Sequence, residues 1–309
     1  MPLIFPLILS LLFTFSQAKE YPKTLDKKFQ DNNHDLIADT PKDASKWIDP
    51  PTLVFSYAPH ESPTHYQKKW KDFLAYLSKV TQKPVVYFPY QTNTAQLEAM
   101  KYGKLHICGF ATGMTPLAVN YAGFHPFAIM GDKEKNFGYK MEIITYANSP
   151  IQTIEEIQNK TITMTNPSSN SGYKAPLFLL KKEFHLENNE DFNVIFSGSH
   201  ENSIKGIANH KYTIAAVASS VKNRMIYQKE VPSDAFKILF QSDSFPTTAY
   251  GYAHNLSPSL IQKIRKAFLT FPWSRNQHPS SLKKAFYNQD CFLPISYKSV
   301  WKTVREMQP

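Results

Sequence analysis

The amino-acid sequence predicts an α/β fold made of two similar lobes. Predicted strands and helices alternate over residues 52–110, and the same β-α-β-α-β order recurs over residues 160–218. That order is typical of layers with mainly parallel strands. In addition, segments 99–108 and 207–215 each predict the end of a helix, a tight turn and a buried strand, so they resemble each other. We therefore expect two α/β lobes with a ligand-sized cleft between them.

The first repeat opens with residues 52–57, an apolar and β-prone run that predicts a strand. Residues 64–81 predict a helix, because large apolar side chains such as Trp70 and Phe73 recur at helical spacing. The first repeat continues with a strand over 84–88, a helix over 94–102 and a strand over 105–110. The second repeat consists of a strand over 160–165, a helix over 169–183, a strand over 193–196, a helix over 199–209 and a strand over 213–218.

Two long β-prone runs, near residues 139–146 and 237–250, connect the repeats. We expect them to cross between the lobes as a two-stranded hinge, as in a ligand trap that closes. Lobe one would then comprise residues 52–140 together with 245–309, and lobe two residues 141–244.

The segment Asn166-Pro-Ser-Ser-Asn-Ser-Gly-Tyr-Lys-Ala-Pro176 joins a predicted strand to a predicted helix. The start of a helix has free backbone N–H groups and a partial positive charge. The side chains of Ser169, Asn170 and Ser171 would stand beside those N–H groups and form a small cage for a tetrahedral oxyanion. From the residues alone, an ordinary helix cap that binds nothing is an open alternative.

The N-terminus predicts export. Residues 1–18 form an apolar stretch that is short for a membrane span and ends in Ser16-Gln-Ala18, a small-x-small cleavage pattern. We expect a cleaved signal peptide over 1–18 and, over 19–51, a polar extension that acts as a flexible tether or packs loosely.

Charge and composition narrow the class of partner. The 309 residues carry a formal net charge of +10, which favours an anionic ligand, surface or partner. The lysines are scattered and do not alternate with aromatic residues, so we expect no nucleic-acid partner. Cys108 and Cys291 fit no metal spacing, and whether they form a disulfide stays open.

Motifs that carry catalysis are missing from this sequence. It contains no G-x-S-x-G elbow, no H-E-x-x-H, no cysteine–histidine metal spacing, no G-x-G-x-x-G and no phosphate-loop lysine motif. We therefore expect no enzyme, no catalytic residues, no cofactor and no metal site.

Four motifs, in this order, resemble the phosphate/phosphite/phosphonate-binding family of periplasmic substrate-binding proteins, which serve ABC importers. They are the helix–Gly–strand unit Glu98 to Cys108, the run Gly138 to Pro150, the helix opening Pro167-Ser-Ser-Asn-Ser-Gly-Tyr173 and the turn Gly198-Ser-His200. The likeness extends from about residue 53 to about residue 271. It implies a two-lobed periplasmic-binding-protein fold of type II, hinged by two crossing segments.

The resemblance also implies a function and a set of site residues. The protein would be a periplasmic monomer that captures a small phosphorus anion (phosphate, phosphite or a simple alkylphosphonate) and presents it to an ABC permease in the inner membrane. Ser169, Asn170 and Ser171 would hold the phosphoryl oxygens, His200 would donate from the same lobe, and Tyr139 and Tyr57 would close over the ligand. A sensor subunit that feeds a membrane receptor, or the same fold with an organic ligand, remain alternatives.

The sequence departs from the family pattern at several places. Asn170 replaces the usual threonine of the helix opening, and Asn93 replaces an aromatic residue of lobe one. Ser220 and Thr248 stand where aminoalkylphosphonate binders have carboxylates. Because an ammonium group would have no counter-charge there, these departures disfavour an amino-bearing ligand.

Overall fold

The computed structural model describes residues 22–58, 63–275, 278–286 and 289–308, except for the side chains of residues 63–65 and 275. The predicted signal peptide 1–18 lies outside the described residues. Within the described residues the chain forms a six-stranded sheet, a five-stranded sheet and a two-stranded ladder, with helices packed around them.

The strands, in chain order, are β1 Leu53–Tyr57, β2 Val85–Tyr87, β3 Ile107–Phe110, β4 Phe124–Gly131, β5 Tyr139–Tyr146, β6 Thr161–Met164, β7 Asn193–Phe196, β8 Ile214–Ala218, β9 Phe236–Phe245, β10 Ala249–Ala253, β11 Ser274–Arg275, β12 His278–Pro279 and β13 Cys291–Pro294. The α-helices are α1 Pro63–Thr81, α2 Asn93–Lys101, α3 Thr115–Ala122, α4 Ala175–Phe184, α5 His200–Ala208, α6 Ser219–Tyr227, α7 Pro258–Leu269, α8 Ser281–Ala285, α9 Tyr297–Val300 and α10 Lys302–Glu306. A π-helical turn, Asn170–Lys174, leads directly into α4.

The larger sheet has the strand order β13-β4-β10-β3-β1-β2, and the smaller one has the order β7-β6-β8-β5-β9. In each sheet a parallel β-α-β-α-β unit, β1 to β3 or β6 to β8, is extended by antiparallel strands. We call the larger sheet with α1–α3 and α7–α10 lobe one, and the smaller sheet with α4–α6 lobe two. The predicted α/β fold with two lobes is confirmed.

The chain passes between the lobes through two short links, residues 132–138 after β4 and residues 246–248 after β9. The runs expected to cross, 139–146 and 237–250, are for the most part the strands β5 and β9 of lobe two, so the crossings lie beyond them. These two strands pair antiparallel, which brings both links to the same end of the molecule. The predicted lobe boundaries stay a prediction. In the division used here β5 belongs to lobe two and begins at Tyr139, whereas the first part of lobe one was predicted to end at residue 140.

The two segments that resemble each other in sequence also adopt the same local structure. After α2, the N–H groups of Lys104 and Leu105 both donate to the carbonyl of Ala99. After α5, the N–H groups of Lys211 and Tyr212 both donate to the carbonyl of Gly206. Each turn feeds a central parallel strand, β3 or β8, so the two lobes share one supersecondary unit.

The N-terminal segment from Pro22 onward is packed against lobe one and is not a free tether. Ile48 N–H donates to the Asn255 carbonyl, and Ser257 N–H donates to the Ile48 carbonyl. Ile37 and Ala38 are buried. Because this segment is mostly polar, the few apolar residues that pack it against lobe one do not stand out in the sequence. Cys108 and Cys291 are both free thiols.

A half-buried lysine connects the lobes outside the cleft. Lys174, in the π-helical turn of lobe two, donates through Nζ to the carbonyl of Gly113 at 3.0 Å and to Gln308 Oε1 at 2.7 Å, and both acceptors belong to lobe one. Burial lowers the pKa of this ammonium to about 8. Because both acceptors are neutral, the charge is only partly compensated.

We expect Lys174→Met to change how stability depends on pH. The pKa of Lys174 is about 8 in the folded protein and about 10.5 in an unfolded chain. Between these values the unfolded state binds more protons, so this residue makes the free energy of unfolding rise with pH. Urea titrations at pH 7.5, 9 and 10 should therefore show a steeper rise for the native protein than for the variant.

Lys181→Met is the matched control for this experiment. Lys181 is exposed on α4 and pairs with Glu187, so its replacement should keep the native pH slope. If the free energy of unfolding rises with pH equally steeply in the native protein and in the Lys174 variant, the lowered pKa of Lys174 is contradicted.

Candidate functional site

A cavity of about 180 Å³ lies between the lobes and is lined by side chains from both. Its walls include residues at the carboxyl ends of parallel strands: Tyr57 ends β1, Thr112 follows β3, Asn166 follows β6 and Ala218 ends β8. Ligands of α/β sheets bind at this position, since the loops and helix starts that follow the strands converge there.

The floor of the cavity in lobe two is the start of the helix that continues into α4. Ser169 is the N-cap, and its hydroxyl accepts a hydrogen bond from Gly172 N–H at 3.0 Å. The first N–H groups of the helix, those of Asn170 and Ser171, have no acceptor one turn earlier. A Cβ at Gly172 would lie 2.1 Å from Thr165 Oγ1, so only glycine lets this helix start pack against the end of β6.

His200 reaches the same point from α5. Its Nδ1 accepts the N–H of Ala218 at 3.2 Å, and its Nε2 lies 3.4 Å from Ser169 Oγ. Because Nδ1 accepts, the proton of a neutral imidazole is on Nε2. His200 therefore turns an N–H donor toward the helix start.

Tyr139, at the beginning of β5, completes this group. Its hydroxyl accepts a hydrogen bond from Asn170 Nδ2 at 3.2 Å. Burial raises the pKa of Tyr139, and hydrogen bonds with Thr112, Asn170 and Ser171 offset part of that rise. The phenol is thus neutral and can still donate. The side-chain NH2 of Asn170 uses one of its two hydrogens on the Tyr139 hydroxyl, so Asn170 would offer an anion its backbone N–H and the second side-chain hydrogen.

Lobe one contacts the helix start closely. Asn93 Nδ2 donates to Ser168 Oγ across the cleft at 2.7 Å. A Cβ at Gly113 would lie 2.8 Å from the Ser168 carbonyl oxygen and 2.9 Å from the Asn170 nitrogen. The absence of a side chain at Gly113 therefore allows the lobes to meet, and the structure is of the closed form.

The outer half of the cavity has a different chemistry. Tyr57, Tyr66 and Phe286 form an aromatic wall in lobe one, with ring centroids 4.6 Å apart for the two tyrosines and 5.7 Å for Tyr57 and Phe286. Facing it in lobe two, Arg224 of α6 donates to Glu201 Oε1 of α5 at 2.8 Å. Lys69 of α1 also lines this half.

All six predicted site residues line this one cavity: Tyr57, Tyr139, Ser169, Asn170, Ser171 and His200. Asn93, Ser220 and Thr248, which the sequence analysis singled out as departures, line it as well. Sequence reasoning missed Thr112, Lys69, Glu201 and Arg224. Thr112 could have been found from its position after a central parallel strand. The ion pair of Glu201 and Arg224 joins two helices and has no signature in sequence spacing.

Among the residues that the structure describes, no group of acidic, histidine or cysteine side chains is arranged to hold a metal ion. The same residues include no helix with both the length and the apolar surface needed to cross a bilayer.

Comparison with known proteins identifies the relatives of this chain. A family model described as the periplasmic substrate-binding protein of phosphonate ABC transporters matches residues 55–300. A binding-protein component of an ABC phosphonate transporter from Pseudomonas aeruginosa superposes with a TM-score of 0.71 at 20% identity, covering 84% of this chain and 86% of that one.

Two further solved structures share the fold at low identity. The PhnD1 protein from Prochlorococcus marinus, in complex with methylphosphonate, has a TM-score of 0.69 at 16% identity and covers 84% of this chain and 97% of that one. A Xanthomonas citri protein bound to ATP has a TM-score of 0.69 at 17% identity, with the same coverage of 84% and 97%.

We expect Gly113→Ala to hold the lobes apart. The new methyl group would press on backbone atoms of Ser168 and Asn170, which cannot move without the helix start. Overpacking of this kind costs about 1–3 kcal/mol unless the lobes separate. Small-angle X-ray scattering should show a larger radius of gyration than for the native protein.

The control is Gly103→Asn, at a position with positive φ where a Cβ meets no atom within 4 Å. Asparagine tolerates that backbone conformation, so the control should scatter like the native protein. An unchanged radius of gyration for Gly113→Ala, together with unchanged thermal stability, would contradict the close contact.

Proposed function

This chain belongs to the family of periplasmic substrate-binding proteins of phosphonate ABC transporters, and we propose that it captures a phosphorus oxyanion in the cavity between its lobes. The family is described as substrate-binding proteins of a transporter, and we propose that this chain likewise binds its solute without transforming it. The observation that carries the proposal is the convergence of Ser169, Ser171, His200 and Tyr139 on one helix start.

The donor set fits a tetrahedral oxyanion. Backbone N–H groups at a helix start, hydroxyls and the His200 Nε2–H are all donors, and the partial positive charge of the helix start adds to them. Hydrogen bonds to charged oxygens are shorter and stronger than those between neutral groups. This arrangement binds an anion without placing a lysine or arginine beside it.

The choice of a phosphonate head group is supported by relatives. The family model names phosphonate, and the related Prochlorococcus marinus protein was solved with methylphosphonate. Phosphate and phosphite present similar oxygens to the same donors, so the cage itself would accept them too.

An amino-bearing phosphonate is a poorer fit. Ser220 and Thr248 offer no negative charge. Among the described residues that line the cavity the one carboxylate is Glu201, and it is paired with Arg224. An ammonium group would have to compete with that guanidinium for its counter-charge, at a desolvation cost of several kcal/mol per buried ion.

The family also indicates the partner. The closed protein would dock on an ABC permease in the inner membrane and release the anion there. We further propose that the protein acts as a monomer in the periplasm after removal of its signal peptide.

We expect Ser171→Ala and His200→Asn to weaken methylphosphonate binding by about ten-fold to a hundred-fold each, because each removes one donor to a charged oxygen. Asparagine at position 200 keeps an acceptor near the N–H of Ala218, so the loss can be assigned to the Nε2 donor. Isothermal titration calorimetry of the purified protein measures both constants.

The control is Ser259→Ala, an exposed serine in the first turn of α7 that does not line the cavity. It should bind methylphosphonate like the native protein. Native affinity in both site variants, for a ligand that binds the native protein, would place the site elsewhere.

Export can be tested separately. The mature chain should begin at or near Lys19, after Ser16-Gln-Ala18. Intact-mass measurement of the protein released with the periplasmic fraction checks this, and a membrane-held form that retains Met1 would contradict it.

A further inference from the structure

We propose that Gly109 is a specificity-determining position of this site, because its missing side chain sets the room for the carbon substituent of the bound phosphonate. The residue would act through the side chains that rest on it, so it is a positioning residue. This rests on the proposed function and narrows its substrate class to alkylphosphonates, whose short apolar chain would extend from the helix start toward the sheet of lobe one.

The helix start and the sheet of lobe one lie on opposite sides of the cavity. The helix start and His200 belong to lobe two, whereas Tyr57, Met130 and Tyr250 belong to three strands of lobe one, β1, β4 and β10. These three side chains are buried and line the same cavity. A ligand whose oxygens face the helix start therefore turns its remaining substituent toward them. We call these three residues, together with Thr248, the sheet wall.

Gly109 lies beneath the middle of the sheet wall. In β3 it pairs with Tyr57 of β1 on one side and with Tyr250 of β10 on the other. Paired residues of neighbouring strands turn their side chains to the same face of a sheet. The rings of the two tyrosines stack with centroids 6.3 Å apart and an interplanar angle of 17°. A side chain at position 109 would therefore stand between them.

The space above Gly109 is filled by the sheet wall itself. A Cβ at position 109 would lie 2.9 Å from Tyr250 Cε1, 3.0 Å from Tyr57 Cδ2 and 3.1 Å from Thr248 Cγ2. Tyr250 cannot retreat, because the rings of Trp70 and Phe292 pack against it with centroids 5.5 and 5.2 Å away. Since protein interiors are close-packed, displaced side chains would move toward the cavity. Glycine at this position thus keeps the sheet wall back from the ligand.

The chemistry of the sheet wall suits a carbon chain. The Tyr250 hydroxyl donates to Met130 Sδ at 3.4 Å and is also hydrogen-bonded to Tyr57, so the wall engages these hydroxyls within itself. A ligand methylene that leaves water for this surface gains about four-fold in affinity. A fourth phosphoryl oxygen in the same place would be desolvated against ring carbons. The sheet wall therefore favours an alkylphosphonate over phosphate.

The test compares methylphosphonate with propylphosphonate by isothermal titration calorimetry. We expect the native protein to bind propylphosphonate at least about four-fold tighter, since its two additional methylenes pack on the sheet wall. Gly109→Ala should lower this ratio of affinities by at least about ten-fold, and its affinity for methylphosphonate should stay within about three-fold of the native value. Thr248→Ser removes the Cγ2 methyl group from the wall and should raise the ratio.

Cys108→Ala is the matched control on the same strand. Cys108 is buried next to Gly109, its side chain is on the opposite face of β3, and it does not line the cavity. This variant should lose thermal stability, because it leaves a small void in the core, and should keep the native ratio of affinities. A change of ratio confined to the Gly109 variant therefore reports the sheet wall and not a general loss of packing.

Each outcome decides between the two proposals. Binding of methylphosphonate to the native protein with no gain for propylphosphonate would overturn the role of Gly109 and leave the proposed function standing. A native ratio in Gly109→Ala, or an equal change in Cys108→Ala, would do the same. If Gly109→Ala does not fold, Thr248→Ser decides, and a ratio that fails to rise overturns the role of Gly109. Failure of both phosphonates to bind the native protein would overturn both proposals.

Discussion

The contact between Gly172 and Thr165 determines how the site is built. A Cβ at position 172 would overlap the Thr165 side chain. The helix start can therefore approach the end of β6 this closely only because residue 172 is glycine. That approach places Ser169 within 3.4 Å of His200 Nε2 and puts Asn170 against the Tyr139 hydroxyl. The π-helical turn that follows absorbs one extra residue at this crowded point, and such turns recur at functional sites.

Lobe closure depends on contacts that the two lobes make away from any ligand. The antiparallel pairing of β5 and β9 keeps both links side by side, so the lobes can rotate about one end. At the other side Gly113 meets the backbone of the helix start, Asn93 donates to Ser168, and Lys174 donates to Gly113. None of these three contacts is an ion pair, so salt should screen them less than it would screen an ion-paired latch.

Much of this architecture could be predicted from the sequence, because strands, helices and the helix start are encoded by local patterns. The segment around Ser169 combines a strand end, cap residues and an apolar helix within a few positions, so a candidate anion site could be predicted there. The contact of Lys174 with Gly113 and the pair of Glu201 with Arg224 join distant residues, and no periodicity marks them. For the same reason the sequence left open whether residues 22–51 form a flexible tether or pack loosely, since Ile37, Ala38 and Ile48 are isolated apolar residues in a polar segment.

The distribution of charge in the cavity has a physical rationale. In the proposed site, a phosphoryl dianion at the inner end would meet neutral donors, because a buried lysine or arginine would have to be desolvated both with and without ligand. Preorganised N–H and hydroxyl dipoles need no such compensation when the site is empty. The cations stand at the outer end, where Arg224 is balanced by Glu201 and the groove beyond is lined with further charges. In the proposed site, an anion that enters from that side would pass these charged side chains before it reaches the shape-specific hydrogen bonds of the helix start.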